Sequence, residues 1–146
     1  MKSIILFLLI GLSISYNTLD AITYARKHCS SYNSAYENYQ GSDNANFVSQ
    51  CLIEGGQSLE GCVGLDNKGS IINVADLKSC LTQKGWKSQK GFTNKFKAGY
   101  PFFTNNMDAM LATVVTGKDI IFCGHTVDRC DKQTSGEQYT YFYLDK

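Results

Sequence analysis

The chain has 146 residues, 43% hydrophobic and 18% charged, enough for one domain with a packed core and too apolar for wholesale disorder. Fourteen Lys+Arg stand against thirteen Asp+Glu, and without Lys2 the two are equal. No surplus of cations is available for nucleic-acid phosphates or for an anionic membrane surface, so neither partner is expected.

Residues 1–15, MKSIILFLLIGLSIS, set one Lys before an apolar run, with small residues at Ser13 and Ser15. This is the pattern of a secretory signal peptide, which puts the protein outside the cell or in the secretory lumen and the mature domain at 16–146. The run is short for a membrane span and no longer one follows, so stable membrane insertion is not expected.

The mature chain reads as helices first and strands second. A helix is expected from Thr18, as its cap, to about Ser30, with Leu19, Ile22, Ala25 and Cys29 as its buried stripe and His28 on the solvated side. A Tyr- and Asn-rich loop, SSYNSAYENYQGS, follows. A second helix is expected from Asp43 to Gly55-Gly56, capped by Ser42 or Asp43, with Phe47, Val48, Cys51 and Leu52 inward. The same stripe puts Asn44 in the first turn, facing inward or into a cleft. A third helix is expected from Asn73 or Val74 to Lys84, with Gly85 as its stop. Beyond Trp86 the period becomes two. Strands are expected at Trp86–Phe92, Met107–Val115, Asp119–Cys123 and Tyr139–Leu144, with a hairpin turn at Thr116-Gly117-Lys118. The fold class is therefore α+β, N-terminal helices on a small antiparallel sheet.

Six cysteines, Cys29, Cys51, Cys62, Cys80, Cys123 and Cys130, all lie in the mature part. In an oxidising compartment they suggest three disulfides, and the short GHTVDR segment makes Cys123 with Cys130 the favoured single pair. No CxxC occurs and His28 and His125 lie far apart, so no metal site is expected. No phosphate-cradling Gly pattern surrounds Gly41 or Gly55-Gly56, and no cofactor is expected.

The stretch YNTLDAITYARKHCSSYNSAYENYQGSDNANFVSQCLIEGG, residues 16–56, resembles the putative amidase domain family, a papain-like group related to the CHAP and NlpC-type cell-wall peptidases. The resemblance rests on AITYARKH, on the aromatic loop into Tyr39 and Gly41, and on Asp43-x-Ala45-Asn46-Phe47-Val48-Ser49-Gln50-Cys51 closing on Gly55-Gly56. It implies a papain-like fold with a cleft between a catalytic helix and the sheet. It also implies a Cys nucleophile directly after Asp43, where a helix N-terminus stabilises a thiolate. This chain has Asn44 there. The resemblance further implies a His at the start of the first long strand, where Asp108 stands. The third, orienting residue has no identified counterpart.

Both replacements point to a secreted pseudoenzyme whose retained cleft binds a peptide or peptidoglycan fragment. Tyr39, Asp43, Asn44, Asn46, Asp108 and His125 are the expected lining, and the protein is expected to be a monomer. Two alternatives stand beside this reading. One is an active amidase or peptidase with an unrecognised nucleophile, for which Cys51 and His125 are the candidates, while an Asp43/Asp108 carboxylate pair would instead suit general acid–base work on glycosides. The other is a disulfide-rich structural or assembly protein. Cys51, seven residues after Asn44, is read as bridged or buried, and Asp128, Arg129 and Asp131 as a solvated charge cluster.

Overall fold

The structure is a computed structural model and describes residues 15–136 and 138–145. Almost all of the expected signal peptide lies outside the described residues. Three helices precede six strands: α1 (Thr18–His28), α2 (Asn44–Glu54), α3 (Val74–Gln83), β1 (Lys87–Lys90), β2 (Pro101–Phe103), β3 (Ala109–Thr116), β4 (Asp119–Gly124), β5 (Arg129–Ser135) and β6 (Thr140–Tyr143). The strands form one antiparallel sheet in the order β1-β6-β2-β3-β4-β5, so the fold is α+β as expected.

The cap of α1 lies one residue earlier than expected. Asn17, not Thr18, accepts the backbone N–H groups of Leu19 and Asp20. Its buried side is Ala21, Tyr24, Ala25 and Cys29, while Leu19 is 67% exposed. The two alanines let α1 lie close to α2, and the Tyr24 hydroxyl donates to Gln50 Oε1 on α2 at 2.6 Å. That hydrogen bond rotates the helix away from the stripe expected from Leu19 and Ile22.

α2 is the central helix. It packs against α1, α3, β3 and β4, and every residue from Ala45 to Leu52 is buried. Such a helix is fixed from all sides, and so is whatever its first turn carries. α3 follows expectation: Asn73 caps it through Ala75 N and Asp76 N, it ends before Gly85, and Val74, Leu77 and Leu81 are buried.

The β3–β4 hairpin turns at Gly117-Lys118, with Thr116 paired to Asp119. Two strands lie outside the expected set. β2 is three fully buried residues with no alternation, and β5 is a polar edge strand that buries no apolar side chain. β3 begins at Ala109 rather than Met107, because Met107 adopts a left-handed backbone (φ 64°) that ends the extended run. Phe102 and Phe103 point to opposite faces of the sheet. Phe102 packs with Phe96, Phe122 and Tyr141, and Phe103 with Phe142.

Cys29 bridges to Cys130 and Cys62 to Cys80, leaving Cys51 and Cys123 as buried free thiols. The expected Cys123–Cys130 pair is therefore corrected. The β4–β5 ladder shifts register between Phe122 and Gly124, so Cys123 turns into the core while Cys130 meets Cys29 at the end of α1.

Candidate functional site

The first turn of α2 meets the start of β3. Asp43 precedes the helix, but its carboxylate makes no cap hydrogen bond, contrary to the expected role. One oxygen accepts from Tyr39 N at 2.9 Å and Asn46 Nδ2 at 2.8 Å, and the other lies 2.6 Å from His125 Nδ1. The carboxamide of Asn44 takes over at the helix end, its Oδ1 accepting from Ala45 N at 2.7 Å. Asn44 Nδ2 donates to the Met107 carbonyl at 3.0 Å and to Asp108 Oδ1 at 3.2 Å. Both of its N–H bonds are thus used to tie α2 to the loop before β3.

Asp108 is held from three more directions. Arg129 grips both carboxylate oxygens, at 2.8 and 3.0 Å, and Thr126 donates its hydroxyl to one of them. Burial pushes the Asp108 carboxyl up, but the bonds from Arg129, Thr126 and Asn44 outweigh it and hold the group below the ordinary carboxylate value. The guanidinium lies over the Phe122 ring at 5.2 Å. It reaches Asp108 by passing Gly124, where a Cβ would sit 2.8 Å from its Nη2. A residue larger than Gly at 124 would displace the fork. Met107 keeps its left-handed backbone, at a cost of about 1–2 kcal/mol, under the Asn44 bond to its carbonyl.

Four residues expected at the cleft do other work. His125 is 3% exposed, stacked on Phe47 at 3.9 Å between centroids and tilted against Tyr32 at 4.3 Å. Its Nδ1 faces Asp43 and its Nε2 faces the His28 carbonyl at 2.7 Å. A carbonyl can only accept, so Nε2 donates, and Nδ1 shares a proton with a carboxylate. The ring has no free lone pair for a substrate. Asp43 and Asn46 are 1% and 0% exposed. Asn46 donates to the Glu37 carbonyl, and the single proton of Ser70 Oγ lies between Asn46 Oδ1 and Asp66 Oδ2. Tyr39 donates its hydroxyl to Asp66 at 2.9 Å. Asp43, Asn46 and His125 are interior struts, and Tyr39 is a partly exposed tie from the aromatic loop to Asp66, which sets all four apart from their expected place as cleft lining.

Asn44 borders a cavity of about 320 Å³, and the rest of the expected lining does not reach it. Ser42, Asn73, Asn106, Met107 and Thr126 are also on its wall, and no charged side chain is. Asp108 lies behind Asn44. A larger cavity of about 410 Å³ against α1, lined by Asp20, Lys27 and Glu54 among others, shares no residue with it. Neither free thiol borders the cavity. Cys51 is fully buried, and burial followed by the nearby Cys123 raises its thiol well above the ordinary value. Burial raises Cys123 as well.

Sequence reasoning missed Arg129 and Thr126. The cluster read as solvated is divided among three jobs: Arg129 binds Asp108, Asp131 binds Arg26 and Thr113, and Asp128 binds Tyr32. The signal available was Gly124, a small residue ahead of an Arg that needs room to fold back. No group of three or more His, Cys, Asp or Glu that could hold a metal occurs among the described residues, and none of their helices is long and apolar enough to cross a membrane.

A family model described as a putative amidase domain matches residues 15–104, more than half of the chain. Asn44 lies inside the matched region and Asp108 four residues beyond it. No curated protein and no solved structure matches the chain.

Proposed function

The chain belongs to the putative amidase domain family, and from that premise we propose that it is a secreted, papain-like member that has lost catalysis and binds an amide-bearing peptide or cell-wall fragment in its cleft. One observation carries this reading. The residues standing at the resemblance's Cys and His positions, Asn44 and Asp108, meet at 3.2 Å across the helix–strand junction. The meeting is what an amidase site needs, and the chemistry is what it lacks. A carboxamide has no anion to stabilise at a helix N-terminus and cannot replace a thiolate. A carboxylate gripped by Arg129 is a poor proton acceptor, since its proton affinity is lowered.

The rival nucleophiles are disfavoured by the same geometry. Cys51 and Cys123 are buried with raised thiols, and His125 has both nitrogens occupied. What the cavity offers is hydrogen bonding without charge, from Ser42, Asn106 and Thr126, beside the apolar Met107 and Val74. That wall suits a neutral amide or sugar better than an ionic ligand. The two disulfides are compatible with an oxidising environment.

The test is a titration of the isotopically labelled protein with muramyl dipeptide, followed through backbone amides and the Asn44 side-chain NH₂. Shifts concentrated at Gly41, Asn44 and Thr126, with no amine released from the probe, are expected. Amine release, or no shift at these residues at millimolar probe, would overturn the reading.

A further inference from the structure

The even charge total hides a segregation. Residues 77–107 contain no Asp or Glu and carry six lysines, at 78, 84, 87, 90, 95 and 97. Lys95 is paired with Asp145, and Lys84 donates to the Glu60 carbonyl. Lys78, Lys87 and Lys90 make no ion pair with any described carboxylate.

The fold gathers part of this set. Lys90 pairs with Thr140 across β1–β6, and Thr140 with Phe103 across β6–β2, so the three stand side by side on one face of the sheet. Lys78, on α3, reaches over the Phe103 ring on that face, its Nζ 5.8 Å from the centroid. Lys78 and Lys90 therefore stand on the same face, one from a helix and one from a strand. Between α3 and β1 lies a groove of about 370 Å³ walled by Lys78, Ser79, Thr82 and Ser88, with the buried Phe142 at its floor. The Thr82 hydroxyl spends its proton on the Lys78 carbonyl, while the Ser79 and Ser88 hydroxyls make no hydrogen bond among the described residues and are free to donate. Lys87 continues the positive surface around the edge of β1, whose four residues are all exposed.

We infer that the groove between α3 and β1 binds a phosphodiester-linked polyol, an extended polyanion without bases. Ammonium groups and free hydroxyls are the donors that a tetrahedral oxyanion takes. Lys90 follows Ser88 on the same face of β1, about 6.6 Å along at 3.3 Å per residue, and Lys87 extends the charge on the opposite face of that exposed edge. Two other polyanions fit less well. A single-stranded nucleic acid needs exposed aromatic faces for its bases, and here Trp86 and Phe142 are both 2% exposed. A membrane surface is held most firmly where apolar side chains insert beside the cations. The exposed large hydrophobics Leu19, Tyr32, Val63, Leu65, Val114 and Val127 lie outside 77–107, and Met107 stands at its far end, on the Asn44 cavity. The inference is independent of what the Asn44 cavity holds.

The test measures binding of poly(glycerol phosphate) to the full mature chain by calorimetry at several salt concentrations. The comparison is with the triple variant Lys78→Gln, Lys87→Gln, Lys90→Gln and with a control triple, Lys27→Gln, Lys68→Gln, Lys132→Gln. All six are surface changes that should leave thermal stability near wild type. Three neutralised phosphates predict a log K against log salt slope of about −2, at roughly 0.7 per contact. The first triple should lose affinity at least tenfold and the control should keep it. Equal losses in both triples, or none in the first, would overturn the inference. So would oligothymidylate, polygalacturonate or phosphatidylglycerol vesicles binding as tightly as the polymer.

Discussion

Asn44 and Asp108, 64 positions apart in the chain, are joined by a 3.2 Å hydrogen bond, and Arg129 closes the arrangement from behind with a two-pronged grip on Asp108. The resemblance to cysteine-dependent amidases implies a thiolate and an imidazole at such a junction. Here the junction is a neutral amide, a carboxylate and a guanidinium, three groups that largely satisfy one another, the buried Arg129 Nε alone lacking a partner among the described residues, and that leave the cavity wall uncharged.

The first prediction concerns that mutual satisfaction. Asp108→Asn leaves the Arg129 guanidinium half paired beside Phe122, where its side chain is 18% exposed. Breaking a largely buried pair on one side costs about 3–5 kcal/mol when burial is complete, and about 2 kcal/mol is expected at this partly open site. Urea unfolding of the variant against wild type measures it.

The pH dependence follows from the same group. The folded-state Asp108 carboxyl lies below its usual 3.8 because Arg129, Thr126 and Asn44 together overcome the opposing effect of burial. A depressed folded value means that the stabilisation is complete above the unfolded value and is lost as pH falls through the folded one. Wild-type stability should therefore hold from pH 7 to about 5 and decline below about 4, and the gap between wild type and Asp108→Asn should narrow over that decline. A gap that stays constant down to pH 2.5 would contradict the assignment.

Restoring chemistry is the third prediction. Asn44→Cys alone should give a thiol that alkylates at an ordinary rate. Adding Asp108→His and Arg129→Asn supplies an imidazole and removes the cation that would oppose its protonation. A thiol paired in this way has its pKa lowered toward the range of roughly 3.5 to 7.5 seen in active sites. Iodoacetamide labelling at pH 6 should accordingly run about tenfold faster in the triple variant than in the single one. Equal rates would show that positions 44 and 108 do not form the junction of an amidase site.

The two disulfides differ in the chain they close. Cys29–Cys130 spans 101 residues and Cys62–Cys80 spans 18. Loop-closure entropy gives about 4.7 kcal/mol for the longer and about 3 kcal/mol for the shorter, so Cys29→Ser/Cys130→Ser should be the more destabilising double variant in thermal melts.

Much of the fold was legible in the sequence because it is written in local patterns. The Asn73 cap, the inward faces of α2 and α3, and the β3–β4 hairpin all depend on neighbours within a few residues. β5 was not legible, since RCDKQTS forms a strand only by pairing with β4 at the sheet edge. α1 was placed correctly but rotated, because Tyr24 answers to Gln50 rather than to its own helix. At the site, the helix-end position of Asn44 could be read from its stripe and from the resemblance. The grip of Arg129 on Asp108 could not, since it joins residues 21 apart through a hairpin whose register the sequence does not state. Asp43, Asn46 and His125 were recognised as belonging near the site but assigned to its surface. Asp43 before α2 and Asn46 in its first turn lie far in sequence from His125 after β4, and no local pattern shows that such polar residues are buried together.

The most direct test of the account is a thiol count on the mature protein. Alkylation without reductant, followed by intact mass, should add nothing in native buffer and two groups in denaturant, one each at Cys51 and Cys123. That result leaves no thiol nucleophile in the folded molecule. A group added under native conditions near neutral pH would mean a reactive thiol within reach of solvent, and would contradict the loss of catalysis.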